Sequence, residues 1–221
     1  MNGDGRLDIL NAYGWWEQPG DEKQLAAKAT AKESGAAAPW KYHRAPFGRY
    51  GRNGEGGRVM GVYDVNGDGL NDAVTSLNAH GFGLAWFEQK RDGTFAEHMT
   101  MDNFSTKNAG NVTFSEPHGT AFADGDGITD LIVGKRFWSH REDYLDPDPY
   151  GAAVLYWYRT VRNPKAAGGA EFVPELIDNR SGAGSDVFAA DINKDGALDI
   201  LTATRFGTFV FWGKPGAFKR K

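Results

Sequence analysis

The sequence predicts an all-β protein built from a repeated, four-stranded antiparallel sheet. Three observations predict it: a short acidic loop recurs along the chain, β-branched segments flank each loop, and an aromatic segment follows. The central acids of the loops are Asp4, Asp68, Asp126 and Asp195, which gives a period of roughly sixty residues. Such a repeat indicates a solenoid, a propeller or an array of units.

Within each period the same four strands are predicted in the same order. The first strand leads into the acidic loop, the second leaves it, the third is aromatic and the fourth is plainer. First strands are predicted over 58–63, 119–123 and 186–190, and second strands over 9–10, 73–76, 131–133 and 200–202. Third strands are predicted over 14–17, 83–88, 154–158 and 207–212, and fourth strands over 41–44, 95–99 and 172–177.

Four antiparallel strands joined by tight turns describe the blade of a β-propeller. The chain is therefore predicted to be a single β-propeller fragment, a partial ring of three to four blades. Its units are approximately 1–63, 64–123, 124–190 and 191–221, the last incomplete. Open strand edges invite aggregation, so missing upstream blades or a second copy of the chain are expected to close the ring.

The acidic loops have the order of ligands found in a calcium-binding loop. Side-chain oxygens recur at loop positions 1, 3, 5 and 9, with glycine at position 6, in the pattern DxNxDGxxD. Clustered carboxylates would repel one another without a cation, and glycine permits the sharp turn. A strand follows where an EF-hand has its helix, so calcium is predicted as a structural ion between strands one and two. The predicted ligands of the two complete loops are Asp64, Asn66, Asp68, Asp72, Asp191, Asn193, Asp195 and Asp199.

The other two loops are incomplete. The first offers Asn2, Asp4 and Asp8, but its first position would lie upstream of Met1, so the chain is expected to be truncated at its N-terminus. The third loop is two residues shorter, with Asp124, Asp126 and Asp130, and is expected to bind metal weakly or not at all. Asp, Asn and Gly are also common in ordinary hairpin turns, which is the alternative interpretation of these loops.

The DxNxDGxxD loops, each followed by an aromatic strand, resemble the FG-GAP/VCBS repeat of calcium-binding propellers. Integrin α-chain heads and many secreted bacterial proteins belong to that superfamily. Segments 76–81, 115–119 and 134–140 resemble more narrowly the environmental bacterial members. The resemblance covers essentially the whole chain and implies the fold and the calcium, but not the ligand.

Composition excludes several classes of function. The formal net charge is −4 and the basic residues are scattered, so no nucleic-acid surface is predicted. No apolar run is long enough to span a membrane. The absence of cysteine excludes disulfides, thiolate catalysis and cysteine zinc sites. Millimolar calcium outside the cytoplasm would fill weak loops, so an extracellular or periplasmic location is expected.

Strand order predicts which polar residues meet. The calcium loops join strands one and two at the bottom of the disc, so the start of strand one and the end of strand two lie on top. The residues expected at the top are Glu116 and His118 before a first strand, and His80, Lys135, Arg136 and His140 after second strands, with Arg58 and Ser185 at the register of His118.

This top-face cluster suggests a site. The three histidines are candidate ligands of a second divalent metal, with Glu116 as fourth ligand or base. Lys135 and Arg136 are candidates to hold an anionic or sugar-oxygen group. In the alternative interpretation, the three histidines cap turns and bond backbone carbonyls.

Other polar and aromatic residues are assigned to packing or to loops. His43 and His98 are expected at the surface or in packing, and the recurring tryptophans at one register of the core: Trp15, Trp16, Trp86, Trp157 and Trp212. Trp138 and Tyr144 are candidates to stack on a sugar. Two insertions, 23–39 and 141–151, interrupt the repeat, and long loops on a rigid scaffold often carry function.

Three functions remain open at this point. The first is a calcium-stabilised binding module that presents its top face to a glycan or protein partner. The second is a sugar-active enzyme of the lyase or dehydratase type that uses His80, Glu116, His118, Lys135 and His140. The weaker resemblance behind it is to fungal sugar dehydratases of the aldos-2-ulose type and to some polysaccharide lyases, from which no catalytic residue can be carried over. A purely architectural propeller is the third.

Overall fold

A computed structural model of the chain describes residues 1–20, 40–49, 59–103, 105, 107–140 and 145–216. The described residues form fourteen strands and two short 3-10 turns, at Ala109–Asn111 and Ala167–Gly169. None of the helical segments in these ranges has the length and apolar character needed to cross a membrane. The described part of the chain is therefore all-β, as predicted.

The strands form four antiparallel sheets that follow one another along the chain. Sheet 1 contains β1 (Ile9–Asn11), β2 (Gly14–Glu17) and β3 (Lys41–Arg44), and sheet 2 contains β4 (Met60–Tyr63), β5 (Asp72–Ser76), β6 (Leu84–Gln89) and β7 (Phe95–Met101). Sheet 3 contains β8 (Thr120–Asp124), β9 (Thr129–Gly134), β10 (Leu155–Arg162) and β11 (Ala170–Asp178). Sheet 4 contains β12 (Val187–Ala190), β13 (Asp199–Thr204) and β14 (Gly207–Phe211).

Each sheet is a meander in which strands adjacent in sequence are hydrogen-bonded. In sheets 2 and 3 the first strand precedes the acidic loop and pairs with the strand that leaves it. The sheets therefore begin one strand upstream of the loops, whereas the predicted units are counted from the loops themselves. The order of strands is the same in both descriptions.

Three hydrophobic clusters join the sheets in series. One lies between sheets 1 and 2, the next between sheets 2 and 3, and the last between sheets 3 and 4. Alternation along each strand explains why a sheet contributes to two clusters, because successive side chains point to opposite faces. In sheet 2, Phe87 packs toward sheet 1 and the adjacent Trp86 packs toward sheet 3. This face-to-face series of meanders is propeller-like.

The first strands of neighbouring sheets approach one another closely. Strands β8 and β12 are in contact, and β4 lies against β8. A Cβ atom on Gly61 would lie 2.4 Å from the Phe122 ring, so only glycine allows this approach.

The predicted register of the tryptophans is partly wrong. Trp15, Trp86 and Trp157 are buried at equivalent positions, opposite Leu10, Val74 and Ile132 of the second strands. The equivalent residue of sheet 4 is Val210, which pairs with Leu201, and Trp212 is 58 % exposed beyond the end of β14. Trp16 occupies the neighbouring position, which is filled by Phe87, Tyr158 and Phe211 in the other sheets. A one-residue shift in a strand moves a side chain to the other face, and composition alone did not reveal it.

His43 and His98 are packing residues, as predicted. Each stacks on the tryptophan opposite it in the third strand, His43 on Trp15 at 4.0 Å and His98 on Trp86 at 4.3 Å between ring centres. Each also bonds a glutamate two residues after that tryptophan, Glu17 or Glu88.

The outer faces of the terminal sheets are apolar and exposed. Ile9 and Tyr42 lie on sheet 1, and Phe188 and Val210 lie on sheet 4 with Trp212 just beyond it. Their strand neighbours Leu10, Ala189 and Phe211 pack inward, so these exposed residues occupy the opposite faces. The insertion 23–39, Arg58 and Tyr144 lie outside the described residues.

Candidate functional site

The acidic loops are organised by hydrogen bonds between their side chains and their own backbone. In the second loop, Asp64 accepts bonds from the N–H groups of Gly67 (2.7 Å), Asp68 (3.1 Å) and Gly69 (3.1 Å). The fourth loop repeats the arrangement, since Asp191 accepts from Asp195 and Gly196, both at 3.0 Å. The position-six glycines Gly5, Gly69 and Gly196 have φ angles of 81°, 86° and 86°, so these three loops turn in the same way.

The aspartate at position nine has a role that sequence analysis did not predict. One carboxylate oxygen of each such residue accepts a backbone N–H in or just after the third strand. The pairs are Asp8 with Gln18 (3.0 Å), Asp72 with Gln89 (2.9 Å), Asp130 with Thr160 (2.7 Å) and Asp199 with Gly213 (2.8 Å). The position-nine aspartate therefore ties the end of the acidic loop to the third strand in all four units.

The second oxygen of this aspartate holds the loop itself. Asp8, Asp72 and Asp199 accept a bond from the nitrogen at loop position two: Met1 (2.6 Å), Val65 (3.0 Å) and Ile192 (2.9 Å). The shortened third loop does not supply this donor, and the indole Nε1 of Trp157 donates to Asp130 instead, at 2.8 Å. Burial raises the pKa of Asp72 and of Asp130 to about 6.

Within the described ranges, no three His, Cys, Asp or Glu side chains converge as they would around a metal ion. The metal ligands predicted in the loops, and the metal predicted at the histidines, therefore stay predictions.

The polar residues predicted for the top face do come together. The backbone of Glu116 is the junction: its N–H donates to Gly81 after β5 (2.8 Å), and its carbonyl accepts from Arg136 after β9 (2.9 Å) and from His118 (2.7 Å). Glu116 adopts a left-handed φ of 58°, which is uncommon for a residue with a side chain. Three loops of sheets 2 and 3 are thereby held against one another.

The side chains at this junction form what we call the histidine site, which comprises His80, Glu116, His118, Ser139, His140 and Asp146. The ring centre of His80 lies 5.2 Å from that of His118 and 5.1 Å from that of His140. The Ser139 hydroxyl lies 2.9 Å from Oε2 of Glu116 and 2.9 Å from Oδ1 of Asp146. His140 bonds the Asp146 carboxylate through Nδ1 and through its backbone N–H.

Two buried polar atoms of the histidine site lack a hydrogen-bond partner among the described residues. They are Oε1 of Glu116 and Nδ1 of His80. The His80 nitrogen lies 3.4 Å from Oε2 of Glu116, close enough for an ion pair but without the geometry of a hydrogen bond. Buried polar atoms are almost always satisfied, so these two atoms are exceptions to the rule.

Burial governs the ionisation of the site. Glu116 is 1 % exposed, and burial, reinforced by the neighbouring Asp146 carboxylate, raises its pKa to about 7. Burial, with the charges of His140 and Arg136, lowers the pKa of His80. Burial also disfavours the charged form of Asp146, but the hydrogen bonds from His140 and Ser139 outweigh it and lower its pKa. At neutral pH the Glu116 carboxyl is therefore partly protonated, and the neighbouring His80 imidazole is neutral.

Lys135 is buried close to this group. Its ammonium is buried and donates to the Ser115 hydroxyl and to the carbonyl of Asp148, at 2.7 Å for the latter. Burial lowers the pKa of Lys135. Ser185, at the register of His118, is also nearby, with its carbonyl 3.4 Å from Nδ1 of that histidine.

Sequence analysis missed Ser139 and Asp146. Asp146 belongs to the proline-rich insertion 141–151, which was recognised as a candidate functional loop but has no strand register from which to place single residues. Ser139 lies between Trp138 and His140, and no feature of the repeat marks it as a site residue.

One family model, described as an FG-GAP-like repeat, matches residues 123–202. No curated protein and no solved structure matches the chain. The matched segment runs from the end of β8 into β13 and contains the shortened third loop and the complete fourth loop. Residues 123–202 therefore carry an FG-GAP-like repeat, and the predicted family resemblance is confirmed for this segment.

Proposed function

We propose that this protein is a calcium-stabilised β-propeller module that binds a glycan or protein partner through the histidine site. The observation that carries the proposal is the buried, unpartnered pair of Glu116 Oε1 and His80 Nδ1 at the junction of three loops. Support for the scaffold comes from the four serial sheets and the FG-GAP-like repeat.

Hydroxyl groups suit this site because each can donate one hydrogen bond and accept others. A ligand hydroxyl could donate to the Glu116 carboxylate while it accepts from a protonated imidazole nitrogen of His80. The Asp146 carboxylate and the Ser139 hydroxyl extend the same alternation of acceptors and donors. A sugar presents several such hydroxyls, which is why a glycan is the first partner proposed.

The acidic loops fit calcium by their donor chemistry. Loop positions 1, 3 and 5 of the second loop are Asp64, Asn66 and Asp68, which offer the hard oxygen atoms that calcium prefers. The matching left-handed glycines, Gly69 and Gly196, give the two complete loops the same turn. A bound calcium ion would neutralise the carboxylates and hold the turn. Calcium is abundant outside the cytoplasm, so we propose an extracellular or periplasmic location.

The exposed apolar faces of sheets 1 and 4 support a ring larger than the described sheets. Between internal sheets, the equivalent faces are buried in the three hydrophobic clusters. Further blades or a second copy of the chain would bury the terminal faces in the same way.

The ligand proposal is tested by binding measurements on a glycan array and by calorimetry. Glu116→Gln and His80→Ala are expected to abolish binding, because each removes one of the unpartnered atoms or its charge. Glu97→Gln, on the exposed side of β7, is the matched control and should bind as wild type does. Binding that survives both site variants would overturn the proposal, because the ligand would then bind elsewhere. A wild type that binds no probe would leave a purely architectural propeller.

A sugar lyase or dehydratase is the second candidate, and the pKa of Glu116 favours it. A carboxyl with a pKa of about 7 suits general acid–base catalysis at neutral pH. Ionised Glu116 would take the proton from the carbon next to a carbonyl as a carbon–carbon double bond forms, and would then give that proton to the leaving hydroxyl, which departs as water. Formation of an unsaturated, ultraviolet-absorbing product by wild type, lost in Glu116→Gln while sugar binding persists, would establish this activity.

A further inference from the structure

Beside the histidine site, four aromatic side chains form a continuous row, which we call the aromatic strip. It comprises Tyr150, Trp138, Phe137 and Phe206. Tyr150 and Trp138 meet edge to face at 5.2 Å between ring centres, Trp138 and Phe137 lie 6.2 Å apart, and Phe137 and Phe206 stack at 4.9 Å.

The aromatic strip is exposed although it is large and apolar. Tyr150 is 72 % exposed and Phe206 is 54 % exposed, while Trp138 and Phe137 are half-buried. Contiguous exposed apolar surface costs solubility and usually marks an interaction site. The tryptophans of the sheet cores, by contrast, are fully packed between sheets.

The backbone holds this strip in uncommon conformations. Trp138 has a φ of 52° and Asp148, two residues before Tyr150, has a φ of 50°. Residues with side chains rarely adopt these angles, and such conformations concentrate at ligand-binding sites. Together with Glu116, at 58°, they place three left-handed residues in the loops that meet at the histidine site.

The strip and the histidine site are built on the same loops. Trp138 is followed at once by Ser139, whose hydroxyl bonds both Glu116 and Asp146. Tyr150 follows Asp148, whose carbonyl accepts a bond from Lys135. Phe206 lies in the turn between β13 and β14, so the strip continues from sheet 3 to sheet 4. Polar and aromatic side chains therefore lie on the same loops, and the aromatic row continues from sheet 3 to sheet 4.

We propose that the aromatic strip is a stacking subsite for an oligosaccharide, with one sugar ring at the histidine site and the following rings along Trp138, Phe137 and Phe206. This inference rests on the proposed function of the histidine site. Aromatic rings match the apolar face of a pyranose, and nearby carboxylates and imidazoles match its hydroxyl edge.

The test compares sugars of increasing chain length by calorimetry. The probes are soluble homo-oligosaccharides of glucose, galactose and a uronic acid, each beside its monosaccharide. Wild type is expected to bind longer chains more tightly. Phe206→Ala is expected to lose about tenfold in affinity for the longer chains and nothing for the monosaccharide. Trp138→Ala should do the same, and Phe206→Tyr should restore length dependence.

Trp212→Ala is the matched control, because Trp212 is as exposed as Phe206 but lies by the outer face of sheet 4. Its affinity should equal that of wild type at every chain length. Circular dichroism and thermal melting establish that each variant is folded, and Phe206→Ala carries the test if Trp138→Ala does not fold.

The outcomes separate the two proposals. Monosaccharide binding that needs Glu116 but does not grow with chain length would overturn the stacking subsite and leave the proposed function intact. A protein ligand that binds in place of every sugar, and needs both Glu116 and Phe206, would also overturn it, since the strip would then hold apolar protein side chains. Sugar binding that is insensitive to Glu116→Gln would overturn both.

Discussion

Glu116 combines a left-handed backbone, near-complete burial and a carboxyl that titrates near neutrality. Its pKa is raised in the folded protein, so the protonated form is the one that the fold favours. The corresponding stability is present below the pKa of the unfolded chain, near 4.5, and is lost as pH rises through about 7.

Glu116→Gln is therefore expected to flatten the dependence of stability on pH. Wild type should lose thermal stability between about pH 5 and pH 8, and Glu116→Gln should lose less because its side chain does not ionise. Differential scanning calorimetry at several pH values measures this. Asp72 and Asp130 titrate in the same direction at about 6, so the difference between variant and wild type isolates Glu116. Equal slopes in the two proteins would show that Glu116 ionises freely in the fold.

Asp72 illustrates a second residue-scale role, that of joining a loop to a strand. Asp72→Asn is expected to lower the free energy of unfolding by about 1–3 kcal/mol, because the amide can accept only one of the two backbone bonds. Chemical denaturation with a chelator present measures this cost free of any metal contribution. Asp92→Asn, in an exposed turn where the carboxylate bonds Thr94, is the control and should change stability by less than about 0.5 kcal/mol. A similar loss of unfolding free energy in both variants would show that the bonds of Asp72 to Val65 and Gln89 contribute no special stability.

Single residues of the histidine site were predictable only where the repeat gave them a register. Glu116, His118 and His80 sit at fixed distances from strands, and the structure brings them together. Ser139 and Asp146 follow no register, so only folding of the insertion reveals them. Trp212 shows the opposite kind of error. It was assigned to the core because it is a tryptophan in an aromatic third strand, but Val210 occupies the equivalent position.

At the scale of the elements, hydrogen bonds within the acidic loops are sufficient to define their turns. Their side chains accept backbone N–H groups, as Asx turns do. The sequence argument that clustered acids need a cation therefore has a competing explanation, because backbone donors also offset the charge. An experiment must separate the turn from the ion.

Asp68→Asn makes that separation, because asparagine can still accept the Leu70 N–H but carries no charge. In chelator the variant should match wild type in melting temperature. With calcium at about one hundred times Kd, wild type should gain about 2.7 kcal/mol for each of its two complete loops, and the variant should keep only the gain from the fourth loop. Thermal melts with and without calcium provide the measurement. If wild type itself gains nothing from calcium, the proposal of calcium in the loops is wrong.

At the scale of the whole molecule, the outer faces of sheets 1 and 4 are the apolar surfaces that no described sheet covers. Phe188 is 59 % exposed on a face whose counterpart in sheet 3 is packed into a hydrophobic cluster. The 221-residue chain is expected to self-associate through these faces.

Sedimentation velocity over a range of concentrations tests this expectation. Phe188→Ser combined with Val210→Ser should shift the protein toward the monomer. Tyr150→Ser, which removes an exposed aromatic ring away from the sheet faces, should leave the association unchanged. A wild-type chain that stays monomeric at every concentration would contradict it.

The period of the acidic loops was enough to predict four serial meanders and their strand order, because hydrophobic alternation and turn residues are local signals. It could not predict the partners of the terminal faces, since burial of those faces depends on surfaces that the repeat itself does not specify. Nor could it predict the position-nine ties, because a pattern of side-chain oxygens does not distinguish a metal from a backbone donor.

At Asp130, the Trp157 indole N–H takes the place of the backbone N–H that the other loops supply from position two. The loop itself is therefore the part of the unit that can vary. The third loop is two residues shorter than the second and fourth, yet the Asp130 carboxylate still accepts a hydrogen bond from Thr160 in the third strand. Turns of other lengths should thus be exchangeable at this corner, provided that one donor reaches the aspartate. Tolerance of that kind would let a protein engineer vary the loops between first and second strands while the strands keep their places.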